Sequence, residues 1–336
     1  MPDIFQYINQ KEHPRSKYQA IVQGILDAIE ANALSKGDPL PSVNSFIQKL
    51  GIARMTVVKA LNNLKERGVI YSEDKVGYFI KDVNLERKRK VFLFLNTFDS
   101  YHQVLYNSII DNIDPGQISI DLFFHHCNPL IFKSVLIENL GSYGLYIISG
   151  FCNPDQRSLL DRIPSRKLLQ IMRPPALEGI PWISQDFYDE LKIALNKIIS
   201  RLKKYTTFIL IFPSWRGHPE IIKVTFKEFC EENGIHYRIE ETLRPELIRE
   251  GNAFWVIEDS DLLNLIKGAE KLGLSVGRDL GILSYNETPM KEIIRNGITV
   301  VSIDFAAMGK SIASYIKNPD PVYETFSPKV ILRNSL

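Results

Sequence analysis

Apolar positions along residues 18–34 recur at helical spacing, with Ile21, Ile25, Ala28 and Ile29 forming one stripe. Lys36-Gly37-Asp38-Pro39 breaks that helix. Ser42 then stands where a side-chain oxygen caps a second helix over 43–50, and Gly51 supplies the turn after it. A third helix is predicted over 53–67, with Val57, Ala60, Leu61 and Leu64 inward and Gly68 ending it. Two β-prone pieces, 69–71 and 78–80, flank a polar turn and predict a hairpin. Three helices followed by a hairpin make a winged helix-turn-helix.

Beyond residue 90 the period alternates. Strands are predicted at 91–98, 118–124, 145–149, 167–172, 182–184, 208–212, near Tyr237, and at 253–257, 280–284 and 299–303. Helices are predicted at 101–112, 129–140, 187–202, 219–233, 262–272 and 306–316. Strand–helix alternation implies parallel sheets covered by helices on both faces, and the restart near 208 implies two such lobes. The fold class is therefore α/β: a winged helix-turn-helix over 1–82, a linker over 83–90, and a two-lobed sensor over 91–336. Lobe 1 is expected at about 91–173 and 290–318, and lobe 2 at about 174–289 and 319–336.

Composition narrows the class. The 336 residues are 45% apolar and 24% charged, which suits a globular chain. The longest apolar runs are far short of a membrane span, and no signal peptide is read at the start, so a cytoplasmic location is expected. Three cysteines without a CxxC pair fit a reducing compartment. The net charge of +2 is uninformative, but its distribution is not. Residues 1–90 hold 15 basic and 10 acidic side chains, and the remainder is slightly acidic. A basic head on a neutral body points to a polyanionic partner.

The third helix offers the chemistry for one. A helix fits the major groove, and side chains near its N-terminus reach base edges. Here those are Arg54, Met55 and Thr56, with Lys59 one turn on. Arg54 can give two donors to guanine or grip a phosphate; Thr56 suits phosphate or base, and Met55 a thymine methyl. Ser42 and Asn44, at the start of the second helix, and Lys75 and Gly77, at the hairpin tip, complete the expected contact set.

The run Gly37-Asp38-Pro39-Leu40-Pro41-Ser42, then Gly51-Ile52-Ala53-Arg54-Met55-Thr56-Val57, Ala60-Leu61, Leu64, Gly68 and Gly77-Tyr78-Phe79 resembles the head of the GntR family of bacterial transcription regulators. Departures bear on sequence preference. Asn44 stands where an arginine often touches DNA, Ala53 where a serine cap worth about 1 kcal/mol is usual, Val58 at an often basic position, and Lys75 at the first wing glycine. In the body, Gly273-Leu274-Ser275-Val276-Gly277-Arg278-Asp279-Leu280-Gly281-Ile282-Leu283-Ser284-Tyr285-Asn286-Glu287 and Gly297-Ile298-Thr299-Val300-Val301-Ser302-Ile303-Asp304-Phe305-Ala306-Ala307-Met308-Gly309 are similar to late segments of LacI-type effector domains. Val330-Ile331-Leu332-Arg333-Asn334-Ser335 looks like that family's closing strand. The resemblance implies a periplasmic-binding-protein-like fold and a small ligand, a sugar or a nucleobase-like compound.

Ligands in such lobes bind beyond the carboxyl ends of strands. By position, the candidates are Asp99, Tyr101 and Phe151 in the first lobe, Asp186 near the crossover, and Trp215, Arg216, Asp259 and Asn286 in the second. Aromatic faces with carboxylate, amide and guanidinium groups suit a sugar. No GxSxG, HExxH, P-loop or GxGxxG motif is present, and His13, His218 and His236 read as isolated, so neither catalysis nor a metal or cofactor is expected. The whole reads as a homodimeric, operator-binding regulator of carbohydrate metabolism, with repression relieved by ligand as the first expectation. The alternatives are a purine or other non-sugar effector, or an enzyme-like body on the same head.

Overall fold

The computed structural model describes residues 4–8, 17–66, 68–74, 76–81, 89–150, 154–172, 179–214 and 217–336. The head contains helices α1 (Ile4–Ile8), α2 (Lys17–Glu30), α3 (Val43–Leu50) and α4 (Arg54–Glu66), then the antiparallel pair β1 (Ile70–Glu73) and β2 (Gly77–Ile80). Its local logic follows the sequence signals. Ser42 Oγ accepts from Ser45 N–H at 3.1 Å and caps α3. Gly51, at φ 61°, ends α3 in the left-handed conformation that a side chain would resist. Ile21, Ile25, Ala28, Phe46, Val57, Ala60, Leu61 and Leu64 are fully buried in one core. The pattern did not indicate α1. Ile4, Phe5 and Ile8 are buried against α2 at Gly24, where a Cβ would stand 2.4 Å from Ile8 Cγ1. The Phe5 ring meets Phe46 at 5.4 Å and Lys49 Nζ at 4.5 Å.

The first lobe is built on β3 (Arg89–Leu95), β4 (Ile118–Phe124), β5 (Leu145–Ser149), β6 (Leu168–Ile171) and β7 (Trp182–Gln185). Between them run α5 (Ser100–Asp111), α6 (Pro129–Asn139) and α7 (Pro154–Leu160). The second lobe contains α8 (Asp189–Asn196), α9 (Ile199–Leu202), β8 (Thr207–Ile211), α10 (Ile221–Glu232), β9 (Tyr237–Glu240) and β10 (Asn252–Val256). It continues through α11 (Asp259–Lys271), β11 (Gly281–Tyr285), α12 (Pro289–Ile293) and β12 (Thr299–Ser302). The chain then returns to lobe 1 with α13 (Phe305–Lys317) and β13 (Tyr323–Phe326), and to lobe 2 with β14 (Lys329–Ile331).

The sheet orders are β4-β3-β5-β6-β7-β13, parallel throughout, and β9-β8-β10-β11-β12-β14, parallel except for the last pair. Both lobes are doubly wound, and strand order reverses between β3 and β5 and between β8 and β10. Loops leaving those strands part to opposite faces and open a crevice. Each sheet is covered on both faces: α5 and α13 oppose α6 and α7 in lobe 1, and α8 and α10 oppose α11 in lobe 2.

The lobe boundaries differ from those expected. Strand 182–185 belongs to lobe 1, 299–302 to lobe 2 and 323–326 to lobe 1. Crossings therefore fall after Gln185, Ser302 and Phe326, because a fifth parallel strand must be laid down before either sheet is left. Two crossings lead into a helix through an aspartate: Asp186 Oδ1 accepts from Tyr188 N–H at 2.7 Å just ahead of α8, and Asp304 caps α13, its Oδ1 accepting from Ala307 N–H at 2.8 Å. The helix expected over 187–202 is two helices, α8 and α9. Helices α13 and α5 approach so closely at Gly309 that a Cβ would lie 2.7 Å from Leu105 O and Ser108 Cβ. Gly309→Ala is expected to lower stability by about 1–3 kcal/mol, measured as a reduced urea midpoint of the full chain; an unchanged midpoint would show that the crossing can spread at no cost.

Candidate DNA interface and ligand cleft

Helix α4 turns Val57, Ala60 and Leu61 inward, which forces Met55, Val58, Lys59 and Asn62 outward by helical geometry. Arg54 and Lys59 are exposed, Met55 is 78% exposed although apolar, and Thr56 is half-buried. Lys59 Nζ lies 5.7 Å from the Tyr18 ring centre. Lys17, Tyr18, Met55, Thr56, Val58, Lys59, Asn62 and Asn63 line a shallow groove of about 850 Å³ along this face. Asn62 and Asn63 were not singled out from sequence, although Met55, Lys59 and Asn62 share the spacing of one helix face. Asn44 and Ser42 are exposed on α3, and Gly77 adopts φ 146° at the start of β2. Lys75 lies outside the described residues. Lys65, on the same helix, is engaged elsewhere: its Nζ donates to Ser72 Oγ at 2.6 Å and ties α4 to the hairpin.

In the body, the carboxyl ends of the two sheets face one another. Tyr285 OH, at the end of β11, donates to Gln185 Oε1, at the end of β7, over 3.5 Å between lobes. Tyr101, on α5, lies with its ring 4.1 Å from that of His102 and 4.9 Å from that of Phe305. Burial, followed by the charge of Asp99 and then Glu258, Tyr285 and Cys127, pushes its hydroxyl well above the usual tyrosine range. Groups from both lobes thus share one electrostatic neighbourhood.

The other expected residues divide by what they already bind. Asp99 is half-exposed at the N-cap of α5, where its carboxylate accepts from Thr97 Oγ1 at 2.6 Å. Its backbone N–H donates to His102 Nδ1, so the His102 proton resides on Nε2, facing Asn96 Oδ1 at 3.1 Å. Burial pushes the His102 pKa down to about 3, so the ring stays neutral and serves as structure. Asp186 also receives Glu190 N–H, so its carboxylate is committed to the start of α8. Asp259 holds Lys291 at 2.8 Å. Asn286 sits at the end of β11 with φ 59° and a buried Oδ1 that has no hydrogen-bond partner among the described residues. Phe151, Trp215 and Arg216 lie outside the described residues.

Three participants escaped the sequence reading. His218 is not isolated: its Nε2 lies 2.8 Å from Glu258 Oε1, both at strand ends of lobe 2. Gln185 forms the interlobe contact. Lys291, which sequence reasoning did not single out, is 2% exposed. Among the described residues no group of three or more histidine, cysteine, aspartate or glutamate side chains is placed to hold a metal.

The comparisons agree with this division into head and body. Residues 17–80 match the model of bacterial regulatory proteins of the gntR family, and residues 201–335 that of a periplasmic binding protein-like domain. The repressor NagR of Bacillus subtilis is 32% identical over 77 residues, covering 23% of this chain and 32% of the relative. The uncharacterised regulator YcxD of the same organism is 33% identical over 64 residues, covering 19% of this chain and 14% of the relative. The chain therefore spans less than a third of the length of these curated relatives. A periplasmic binding protein/LacI transcriptional regulator of Alkaliphilus metalliredigens, solved with D-xylulofuranose, superimposes with a TM-score of 0.60 at 13% identity, over 74% of this chain and 99% of that one. The chain joins a gntR-type winged helix-turn-helix to a two-lobed, periplasmic-binding-protein-like body with the fold of LacI-family regulators.

Burial lowers the pKa of Lys291, and Asp259 offsets only part of that. A lysine depressed in the fold binds fewer protons than in the unfolded chain over the window below about 10.4. Stability must then rise with pH across that window. The urea midpoint of the wild type, measured relative to Lys291→Met, is expected to climb as pH approaches 10.4. A constant difference would place the ammonium in solvent.

Proposed function

We propose that the chain is a DNA-binding transcriptional regulator whose operator affinity is set by a small ligand, a sugar, held between the lobes of its body. The single observation that carries the DNA reading is the exposed face of α4. A 78% exposed methionine beside Arg54, Thr56 and Lys59, with the inner face of the helix fully committed to the core, has no role within the head. It suits a major groove, where apolar and bidentate polar contacts are read together. Ser42 and Asn44 add phosphate contacts from α3, and Lys75 and Gly77 add them from the hairpin.

The sugar reading is supported by the D-xylulofuranose bound to the structural relative and by polar groups at the strand ends here: Asp99, Tyr101, Glu258 and Asn286. Hydroxyls pair with carboxylate and amide groups while ring faces stack on aromatics. Phe151, Trp215 and Arg216 belong to the proposed contact set, whereas Asp186 and Asp259 act as supports. The protein works as a cytoplasmic homodimer. Ligand shifts the equilibrium between two lobe arrangements by its differential affinity for them, and the linker transmits the change to the paired heads.

With a duplex selected from genomic fragments by the full chain, Arg54→Ala and Thr56→Ala are each expected to cost about 1–3 kcal/mol in binding, with unchanged melting temperatures. Equal affinities for wild type and both variants in a gel-shift titration would remove α4 from the interface. A panel of sugars and purines screened by thermal shift should raise the midpoint for a sugar and leave it unmoved in Asn286→Ala. A purine hit would replace the sugar reading, and an equal shift in Asn286→Ala would place the ligand elsewhere.

A further inference from the structure

We propose that Lys291 is the positioning residue of the cleft edge of lobe 2: its buried ammonium clamps the end of β11 and thereby fixes the left-handed turn that presents Asn286. The clamp rests on the cleft reading above only for its purpose; its geometry stands apart from any ligand. Lys291 Nζ donates to Tyr285 O at 2.9 Å and Asn286 O at 2.8 Å, and pairs with Asp259 Oδ1 at 2.8 Å. All three ammonium protons are thus used.

Each bond answers a local need. The β11–β12 ladder ends at Tyr285–Val301, with Asn286 N–H donating to Val301 O at 2.9 Å. The carbonyls of Tyr285 and Asn286 point beyond that ladder and require a donor, because an unpaired buried carbonyl costs the desolvation of the group. An ammonium supplies two bonds from a single atom, and Asp259 neutralises it. Asp259 opens α11, where a negative charge also suits the helix dipole. One side chain therefore joins α12, the end of β11 and the start of α11. Glu258 and Glu287, which also act on Lys291 electrostatically, are held by His218 and Arg333 respectively.

The lysine itself sits on a firm base. Its backbone carbonyl accepts Ile298 N–H at 2.8 Å, so the clamp is braced by the lead into β12. What it holds is a left-handed turn: Asn286 is at φ 59°, a conformation that asparagine tolerates better than most side chains but that costs backbone energy relative to extended strand. The turn also leaves Asn286 Oδ1 buried and without a partner among the described residues, as a group kept ready for a ligand would be. The residue before it makes the interlobe contact with Gln185. Lys291 consequently sets both the ligand-facing amide and the link between lobes without touching either the cleft or the other lobe.

The test uses the full chain labelled with ¹³C-carbonyl tyrosine and ¹³C,¹⁵N-asparagine. Asn107 and Asn286 follow a tyrosine and Asn63 follows the labelled carbonyl of Asn62, so three backbone amide peaks survive the filter. Asn107, in α5 of lobe 1, and Asn63, in α4 of the head, are the internal controls; Asn286→Asp identifies the third. In Lys291→Met the Asn286 peak is expected to move and its Cα and Cβ shifts to leave left-handed values, with Asn107 unmoved. Lys291→Gln, which keeps a polar head, should give the same result if the apolar variant does not fold. Asp259→Asn, which leaves both carbonyl bonds, should preserve the left-handed shifts. Retention of those shifts in a folded Lys291 variant, or failure of both Lys291 variants to fold, would overturn the proposal by reducing Lys291 to a stability element. A wild type that binds no sugar while Lys291→Met moves the Asn286 signature would sink the sugar reading and keep the clamp.

Discussion

The body depends on a constraint of parallel sheets. Every strand in such a sheet ends at the same edge, and the backbone groups there run out of ladder partners. Two sheets of this kind joined by three crossings place those two needy edges against each other, and what satisfies them becomes the interior of the cleft. In this chain the satisfying groups are side chains near the start of a following element: Asp186 before α8, Asp304 before α13, and Lys291 of α12, paired with Asp259, for the carbonyls that end β11. The same polar residues that look like ligand contacts by position are, in several cases, already employed in closing off the backbone.

That double duty explains which parts of the site were legible. Spacing located the strand ends, so the positions of Asp99, Tyr101, Asp259 and Asn286 just beyond them could be read from the alternation. Whether each faces a ligand or a neighbouring N–H depends on contacts within a turn, and for Asp186 the turn won. His218 and Glu258 are 40 residues apart, and only the register of β8 beside β10 makes them neighbours. Lys291 follows Pro289-Met290 in a charged stretch, and nothing local foretells that two carbonyls at the end of β11 take its ammonium protons.

The fold was more legible than the site. Helix α3 and strands β4 and β5 have the bounds that periodicity and caps implied, because those signals act over a few residues. The lobe assignment was not, since membership of a sheet is decided by which edge accepts the strand. Strand β13 is short, alternates exposed and half-buried positions, and follows Asn318-Pro319-Asp320-Pro321, which punctuates like a loop; only its pairing with β7 makes it a strand.

Helix α1 shows where the head ends as a physical object. The recognisable module begins at residue 17, yet Ile4, Phe5 and Ile8 lie in its core and fill the hollow that Gly24 leaves in α2. A fragment cut at the module's boundary would bare an apolar trough across α2 beside Phe46, and water is a poor occupant for it. Such a fragment would cover the trough with another copy of itself, so its association in solution would report on the cut rather than on the native assembly.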